Sequence, residues 1–309
     1  MQRAAPHLFP AGARLGEHNL VLHATARRHT VEEYAGPLSI KTVLDGRVSW
    51  VVGGRELVVD PNSFLVLGAG ERYSMNIDAA RPVETCCAFF APGFVEQIAL
   101  DLTSRTDAAL DAPDRIAPPL AYLSVLHGDR ERTLTKQVAT LAERCQKSLN
   151  PSGTEEDFLT LGTALLQYYG EIRAQVARVP AARLSTRQEL HRRLLMGRDY
   201  IHAHCEESVS LADVARAACL SLFHFHRGFT RAFEETPHSY LTGLRLRQAR
   251  QMLERGASAL EASVAVGFSS PSAFSRLFRA RFGETPSAVR RKFARLGKTA
   301  GARSVTIGA

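Results

Sequence analysis

The chain has 309 residues, of which 45% are hydrophobic and 23% charged, and its net charge is +8. This composition is typical of a globular protein and excludes a disordered or collagen-like chain. No apolar run reaches the roughly 18 residues that a transmembrane helix needs, and residues 1–16 lack the apolar segment of a secretory signal. We therefore expect a cytoplasmic protein with no membrane partner. Its five cysteines have no CxxC spacing and are predicted to be reduced thiols.

The segment from residue 19 to residue 90 has the pattern of a β domain. Short strand-like runs alternate with turn residues, and the turns at Asp45-Gly46 and Gly53-Gly54 are typical of tight hairpins, which need positive φ. The predicted strands are residues 19–25, 38–44, 47–52, 56–59, 63–67, 72–77 and 83–90, and Arg81-Pro82 separates the last two. Short strands at this spacing predict a sandwich or a small barrel.

The pattern becomes helical after Gly93. The sequence predicts helices over residues 94–102 and 130–149, and then a third helix that Thr154 and Asp157 cap and that runs to about residue 179. The second helix has a narrow apolar stripe, formed by Leu134, Val138, Leu141 and Cys145. This stripe has two interpretations: it packs on the barrel or on the following helix, or it is the seam of a homodimer.

Charge divides the chain near residue 182, where Pro180-Ala181-Ala182 has the composition of a linker. Residues 1–182 have 18 Lys+Arg against 21 Asp+Glu, a net −3, whereas residues 183–309 have 21 against 10, a net +11. The basic residues of the second part alternate with aromatic and aliphatic positions at helical spacing, which favours a nucleic-acid partner over a merely solvated surface. We therefore predict one domain over residues 1–182 and another over residues 183–309.

A degenerate internal repeat lies within the basic part, in residues 210–238 and 258–287. Before a central turn the two copies match at an offset of 48 residues, and beyond it at an offset of 49. Each copy is predicted to form two short helices joined by a tight turn, near Cys219 in the first copy and at Gly267 in the second. In the second helix of each copy, two phenylalanines four residues apart should face inward: Phe225 and Phe229 in the first copy, Phe274 and Phe278 in the second.

Serines mark the predicted starts of these helices. Ser210 with Asp213, and Ser258 with Glu261, fit capping boxes that open the first helix of each copy. Ser221 and Ser270 are the predicted caps of the second helices, and Pro271 follows at the first helical position, where its missing N–H is tolerated.

Two helices joined in this way predict a helix–turn–helix, whose second helix enters the major groove. Arginine pairs with guanine, serine bonds to several bases, and alanine or an aromatic ring contacts the thymine methyl group. The residues predicted to contact DNA are Phe223, His224, His226, Arg227 and Arg231 in the first copy, and Ser270, Ser272, Ala273, Ser275, Arg276 and Arg279 in the second.

From about residue 189 to residue 293, the chain resembles the DNA-binding domain of the AraC/XylS family of bacterial transcription regulators. The matching signature is Gly267-Phe268-Ser269-Ser270, Phe274-Ser275-Arg276-Leu277-Phe278 and Phe282-Gly283-Glu284-Thr285-Pro286. The resemblance implies seven helices, with two helix–turn–helix units bridged by a long helix over residues 237–255. The chain departs from the family pattern at Cys219, where glycine is usual, at Gly228, where an aliphatic residue is usual, and at Ala262 and Ser263, where an Ile-Ala pair is usual.

The first part of the chain, from residue 38 to residue 90, is similar in strand pattern to the cupin-like sensing and dimerisation domain of that family. The implied fold is a two-domain α+β protein, with an N-terminal cupin-like β-barrel followed by helices and a C-terminal all-α domain that contains both helix–turn–helix units. The implied function is sequence-specific binding of double-stranded DNA in transcription regulation, modulated by a small-molecule effector. A homodimer, and RNA polymerase in the case of an activator, are the further implied partners. Trp50 and Tyr73 are candidates for lining an effector pocket, and core packing is the alternative for both.

An enzyme is the natural rival, because cupin barrels hold metals through a His-x-His pair and further ligands on their strands. Residues 38–90 contain no histidine, and the two His-x-His pairs of the chain lie in its helical half. We therefore expect no catalytic residue, no metal and no cofactor. Cys86 and Cys87 point to opposite faces of a strand and do not chelate one ion easily. The alternative function is a ligand- or partner-binding cupin-like protein whose basic half binds polyanions without sequence specificity.

Overall fold

The computed structural model describes residues 15–103, 125–129, 132–148 and 154–301. The chain divides into two compact units, Met1–Ala177 and Arg178–Ala309. Unit 1 contains an antiparallel sheet and helices, and unit 2 is helical in its described residues. The predicted fold class is confirmed.

Unit 1 is built on a strongly curved antiparallel sheet. Its strands are β1 (Leu20–Ala35), β2 (Ser39–Asp45), β3 (Val48–Val52), β4 (Arg55–Val59), β5 (Ser63–Leu67), β6 (Arg72–Phe89) and β7 (Val125–Gly128). They are ordered β4-β3-β6-β2-β5-β7, and β1 pairs with the other edge of β6. The predicted hairpin turn between β3 and β4 is present, since Gly53 and Gly54 have φ of 54° and 75°. The hairpin predicted at Asp45-Gly46 is wrong, because β2 and β3 do not pair with each other and both pair with β6 instead.

The break predicted at Arg81-Pro82 is wrong, because β6 is one strand of 18 residues. The first half of β6 pairs with β3, from Tyr73 to Asn76, and the second half pairs with β2. Pro82 lies between these two partners, where the register against β1 also shifts. A proline at such an irregular position removes no ladder hydrogen bond, so the strand continues through it.

Among the described residues of unit 1, three helices accompany the sheet: α1 (Phe94–Thr103), α2 (Thr133–Ser148) and α3 (Glu155–Arg178). The first and last residues of the predicted second helix, 130 and 149, lie outside the described ranges. One face of the sheet and these helices enclose a shared core, to which Ile40, Phe64 and Phe158 belong. The predicted apolar stripe lies in this core and has exposed fractions of 0 to 6%, in the order Leu134, Val138, Leu141 and Cys145. Its burial within one chain favours the packing interpretation over a dimer seam.

The opposite, inner face of the curved sheet holds a second core. It contains Trp50 and Tyr73, with exposed fractions of 1% and 7%, among aliphatic side chains such as Leu57 and Leu65. The two predicted ligand-pocket residues therefore share the inner face of the sheet.

Unit 2 contains seven helices in its described residues, as the family resemblance implied. They are α4 (Leu184–Ala203), α5 (Leu211–Ala217), α6 (Leu222–Phe233), α7 (Pro237–Glu254), α8 (Ala259–Ala265), α9 (Pro271–Phe282) and α10 (Pro286–Gly301). Helix α7 matches the predicted long bridging helix. Two cores divide these helices, one around Phe225 and Phe229 and the other around Phe274 and Phe278.

Candidate nucleic-acid interface

The repeat folds into two units of the same design. Helices α5 and α8 each have seven residues, and α6 and α9 each have twelve. The predicted caps are present: the hydroxyl groups of Ser221 and Ser270 accept hydrogen bonds from the backbone N–H groups of His224 and Ala273. The sequence therefore sets where each candidate recognition helix begins.

The predicted capping boxes differ between the copies. Ser258 and Glu261 form the complete box, in which the Glu261 carboxylate accepts from the Ser258 backbone N–H at 2.7 Å. This hydrogen bond holds the pKa of Glu261 below its usual value. In the first copy, the Asp213 carboxylate accepts from the hydroxyl of Ser210 at 2.5 Å instead. The Asp side chain is one methylene shorter, which explains why it bonds the nearer hydroxyl group.

The turns between the paired helices need a left-handed residue in both copies. Gly267 has φ of 78°, and Cys219, at the equivalent turn, has φ of 52°. A left-handed conformation is unusual for a residue with a side chain, so the departure from glycine at Cys219 is a strained one. The same contrast recurs after the second helices, where Glu234 has φ of 59° and Gly283 has φ of 74°.

The inward faces of α6 and α9 are formed by the predicted phenylalanines. Phe225, Phe229, Phe274 and Phe278 are each at most 1% exposed. The ring centroids within each pair are 5.4 and 5.5 Å apart, with nearly identical tilts. Since side chains one or two positions along a helix point elsewhere, this packing turns the intervening polar residues outward.

The structure exposes most of the side chains predicted to contact DNA. The exposed ones are Phe223, His224, His226, Arg227 and Arg231 on α6, and Ser272, Ser275, Arg276 and Arg279 on α9, while Ala273 and the cap Ser270 are half-buried. Each recognition helix thus brings its predicted residues together on one outer face.

One further exposed residue was missed by the sequence analysis. Leu222, the first residue of α6, is 50% exposed beside Phe223, which is 67% exposed. Its position directly after the Ser221 cap was the signal that would have identified it, because the N-terminal residues of a recognition helix reach base edges.

The departure at Gly228 has a packing explanation. A Cβ at Gly228 would lie 3.2 and 3.3 Å from the two terminal methyl groups of Leu194 in α4, so this leucine occupies the space that an aliphatic residue would take. Gly197, also in α4, is required for a similar reason: a Cβ there would overlap the ring of Phe225. The first recognition helix is therefore seated closely against α4.

Arg245 of α7 joins the two helix–turn–helix units. Its guanidinium donates to the backbone carbonyls of Cys205 at 2.8 Å, Glu207 at 2.6 Å and Gly267 at 3.2 Å. The last of these carbonyls belongs to the turn of the second unit, and the first two lie between α4 and α5. This arginine therefore holds the second turn against the segment that precedes the first unit.

No group of three His, Cys, Asp or Glu side chains suited to a metal is found among the described residues. None of the described helices has the length and apolar character needed to span a bilayer.

Comparison with known proteins points to the same part of the chain. Residues 214–292 match a family model described as a helix-turn-helix domain. This range begins in α5 and ends in α10, so it includes the first copy of the repeat from residue 214 onward and all of the second copy.

Regulators from several organisms are among the relatives that share sequence with the chain. The transcriptional activator NphR of a Rhodococcus species is 29% identical over 82% of this chain and 70% of its own length. YbfI of Bacillus subtilis, an uncharacterized HTH-type transcriptional regulator, is 24% identical over 71% of each chain. CdhR of Pseudomonas aeruginosa, an HTH-type transcriptional regulator, is 36% identical over 31% of this chain, which spans only 29% of CdhR.

Proposed function

We infer that the chain is a DNA-binding transcriptional regulator of the AraC/XylS type, whose C-terminal unit contains the helix–turn–helix domain of that family. One observation carries this inference: a duplicated pair of helices buries two phenylalanines per copy and turns a polar, arginine-containing face outward. The net charge of +11 over residues 183–309 agrees with a polyanionic partner.

The two recognition helices are proposed to occupy successive major-groove segments on one face of the DNA, about one helical turn apart. Because the copies are a direct repeat in one chain, each protomer binds an asymmetric site. Exposed arginines supply phosphate contacts and a salt-dependent affinity, whereas the outer faces of α6 and α9 supply specificity.

The two outer faces differ in chemistry, so their proposed base preferences differ. Arg227 and Arg276 occupy equivalent positions and are both suited to guanine. Phe223 and the two histidines of α6 offer a ring and imidazole nitrogens, whereas α9 offers Ser272 and Ser275. The two half-sites are therefore expected to have different sequences.

The N-terminal domain, residues 1–182, is proposed to sense a small-molecule effector in a cytoplasmic regulator without enzymatic activity. The inner core around Trp50 and Tyr73 is the proposed effector region. A homodimer, and contact with RNA polymerase if the protein activates transcription, complete the proposed set of partners.

Selection of bound sequences from random duplex DNA, with excess nonspecific competitor, tests the regulator function. We expect an enriched site with two different half-motifs about one helical turn apart. Binding that unrelated DNA removes completely, with no enriched motif for the full chain or for residues 183–309, would instead support nonspecific polyanion binding.

A matched pair of arginine variants tests the assignment of α9. Arg276→Ala is expected to weaken specific binding by about 1–3 kcal/mol and to relax one base position of the selected motif. Arg281→Ala removes the same charge from an exposed position of the same helix that is not predicted to face the bases, so its selected motif should stay unchanged. Identical motifs from both variants would contradict base contact by Arg276.

A further inference from the structure

Lys41 is a lysine buried among apolar side chains of unit 1. It lies in the middle of β2, between Leu65 of β5 and Cys87 of β6 in the strand register, and it is 2% exposed. Its neighbour Ile40 faces the outer core, so the alternation of a strand turns Lys41 toward the inner core. Burial of an ammonium group is costly, which makes a role for this amine worth testing.

Among the described residues, the polar groups that act on the Lys41 amine are the Tyr73 hydroxyl and the Cys87 thiol. Its Nζ donates to the Tyr73 hydroxyl at 3.3 Å and lies 3.9 Å from the centroid of the Phe89 ring. No carboxylate pairs with it in the part of the chain that the structure describes. Burial lowers the pKa of Lys41 to about 8.

This lowered pKa changes the amount of free amine near neutral pH. At pH 7, the unprotonated fraction of an amine with a pKa of about 8 is about 230 times that of a lysine at its usual pKa near 10.4. A desolvated lysine of this kind is the usual nucleophile toward carbonyl compounds. Burial also raises the pKa of Tyr73, so its hydroxyl stays protonated and available as a proton donor.

We propose that Lys41 binds a small, apolar aldehyde or ketone covalently, as an imine, in the inner core of unit 1. The free amine attacks the carbonyl carbon, and the resulting carbinolamine loses its hydroxyl group as water. The nitrogen gives up two protons and the departing oxygen gains two, and Tyr73 passes protons between them. The aliphatic and aromatic surroundings exclude water and so slow hydrolysis of the imine.

The proposal specifies the chemistry of the effector that unit 1 is proposed to sense. Only its consequence for DNA binding rests on that proposed function. Covalent attachment itself is measured without DNA. The full-length protein is incubated with butanal and sodium cyanoborohydride at pH 7, and butylated lysines are located by peptide mass spectrometry. Lys136 and Lys147, which are exposed lysines of the same unit, are the internal controls.

We expect Lys41 to be labelled to at least about ten times the extent of Lys136 and Lys147, because more of its amine is free. Labelling of Lys41 should level off above about pH 8, where its amine is already free, and that of the exposed lysines should keep rising. Tyr73→Phe keeps the ring and removes the proton donor, so Lys41 labelling should fall at least about tenfold in this variant. Lys136 labelling should not change.

Labelling of Lys136 and Lys147 without Lys41 overturns the proposal, whatever the DNA-binding result. The effector role is then tested separately, by measuring binding of the selected DNA site with and without butanal in the wild type and in Lys41→Met. If Lys41 is labelled but butanal does not change binding of the selected DNA site, the imine site is established and regulation through it is refuted.

Discussion

Cys219→Gly is expected to stabilise unit 2, because it relieves a left-handed residue in the first helix–turn–helix. That conformation costs an L-residue with a Cβ roughly 1–2 kcal/mol, and glycine avoids most of this cost. Glycine in turn raises the conformational entropy of the unfolded chain, which lowers the free energy of unfolding by about 0.4–1 kcal/mol. The net gain in the free energy of unfolding is therefore expected to be about 0.5–1 kcal/mol, or about 2–4 °C in melting temperature.

The contacts of Cys219 support this estimate. The side chain is exposed, so its removal leaves no cavity. The backbone carbonyl accepts from Arg193 at 3.4 Å, and the substitution leaves that carbonyl in place. The turn geometry already exists in the second copy with glycine, where Gly267 has φ of 78°.

Gly267→Cys is the converse control. It introduces the left-handed strain and places a Cβ 3.0 Å from the Arg245 guanidinium, so it should destabilise by more than Cys219→Gly stabilises. Urea unfolding is followed by helical circular dichroism and, in parallel, by the fluorescence of Trp50, the single tryptophan. Since Trp50 lies in unit 1, only the helical signal should shift. A lower midpoint for Cys219→Gly, or equal midpoints for the two variants, would refute the reasoning.

Three further substitutions probe unit 2. Gly197→Ala should destabilise it by about 1–3 kcal/mol, the usual cost of overpacking, since the new methyl group overlaps the Phe225 ring. An unchanged urea midpoint would contradict the close packing of α6 against α4. Ser258→Ala should cost about 1 kcal/mol through loss of the capping box, whereas Ser287→Ala, an exposed serine of α10, serves as a near-neutral control in the same unfolding assay. Burial lowers the pKa of His191 to about 4, below the value near 6.5 that it regains on unfolding. Its contribution to stability is therefore present above pH 6.5 and lost as the pH falls toward 4, by roughly 3 kcal/mol. His191→Leu should flatten this dependence of the urea midpoint on pH, and an equally steep loss in the variant would assign the effect to other groups.

Local signals in the sequence were sufficient for the paired helices of the repeat. The serine caps, the proline at the start of α9 and the glycine of the second turn each satisfy a backbone requirement within a few residues. Such requirements do not depend on the rest of the fold, which explains why the predicted starts of α6 and α9 agree with the structure.

Features that depend on distant partners escaped prediction. The sequence predicts a strand break at Pro82, because it does not show that β3 and β2 pair with the two halves of one long strand. Gly228 departs from the family pattern, and the sequence alone does not show that Leu194 fills the space beside it. Lys41 was not singled out at all, since nothing in its flanking residues indicates which face of β2 it occupies.

The two copies of the repeat are supported in different ways, and this bears on how they would bind DNA. The second copy has glycine at both left-handed positions, Gly267 and Gly283, whereas the first has Cys219 and Glu234 there. In the first copy, the recognition helix α6 instead packs closely against α4. The second copy lacks this contact, because α9 forms its core with α7, α8 and α10. Local backbone strain in the first unit is thus offset by packing against a helix outside the repeat. Changes in α4 are therefore expected to act on the first half-site, and changes in α10 on the second.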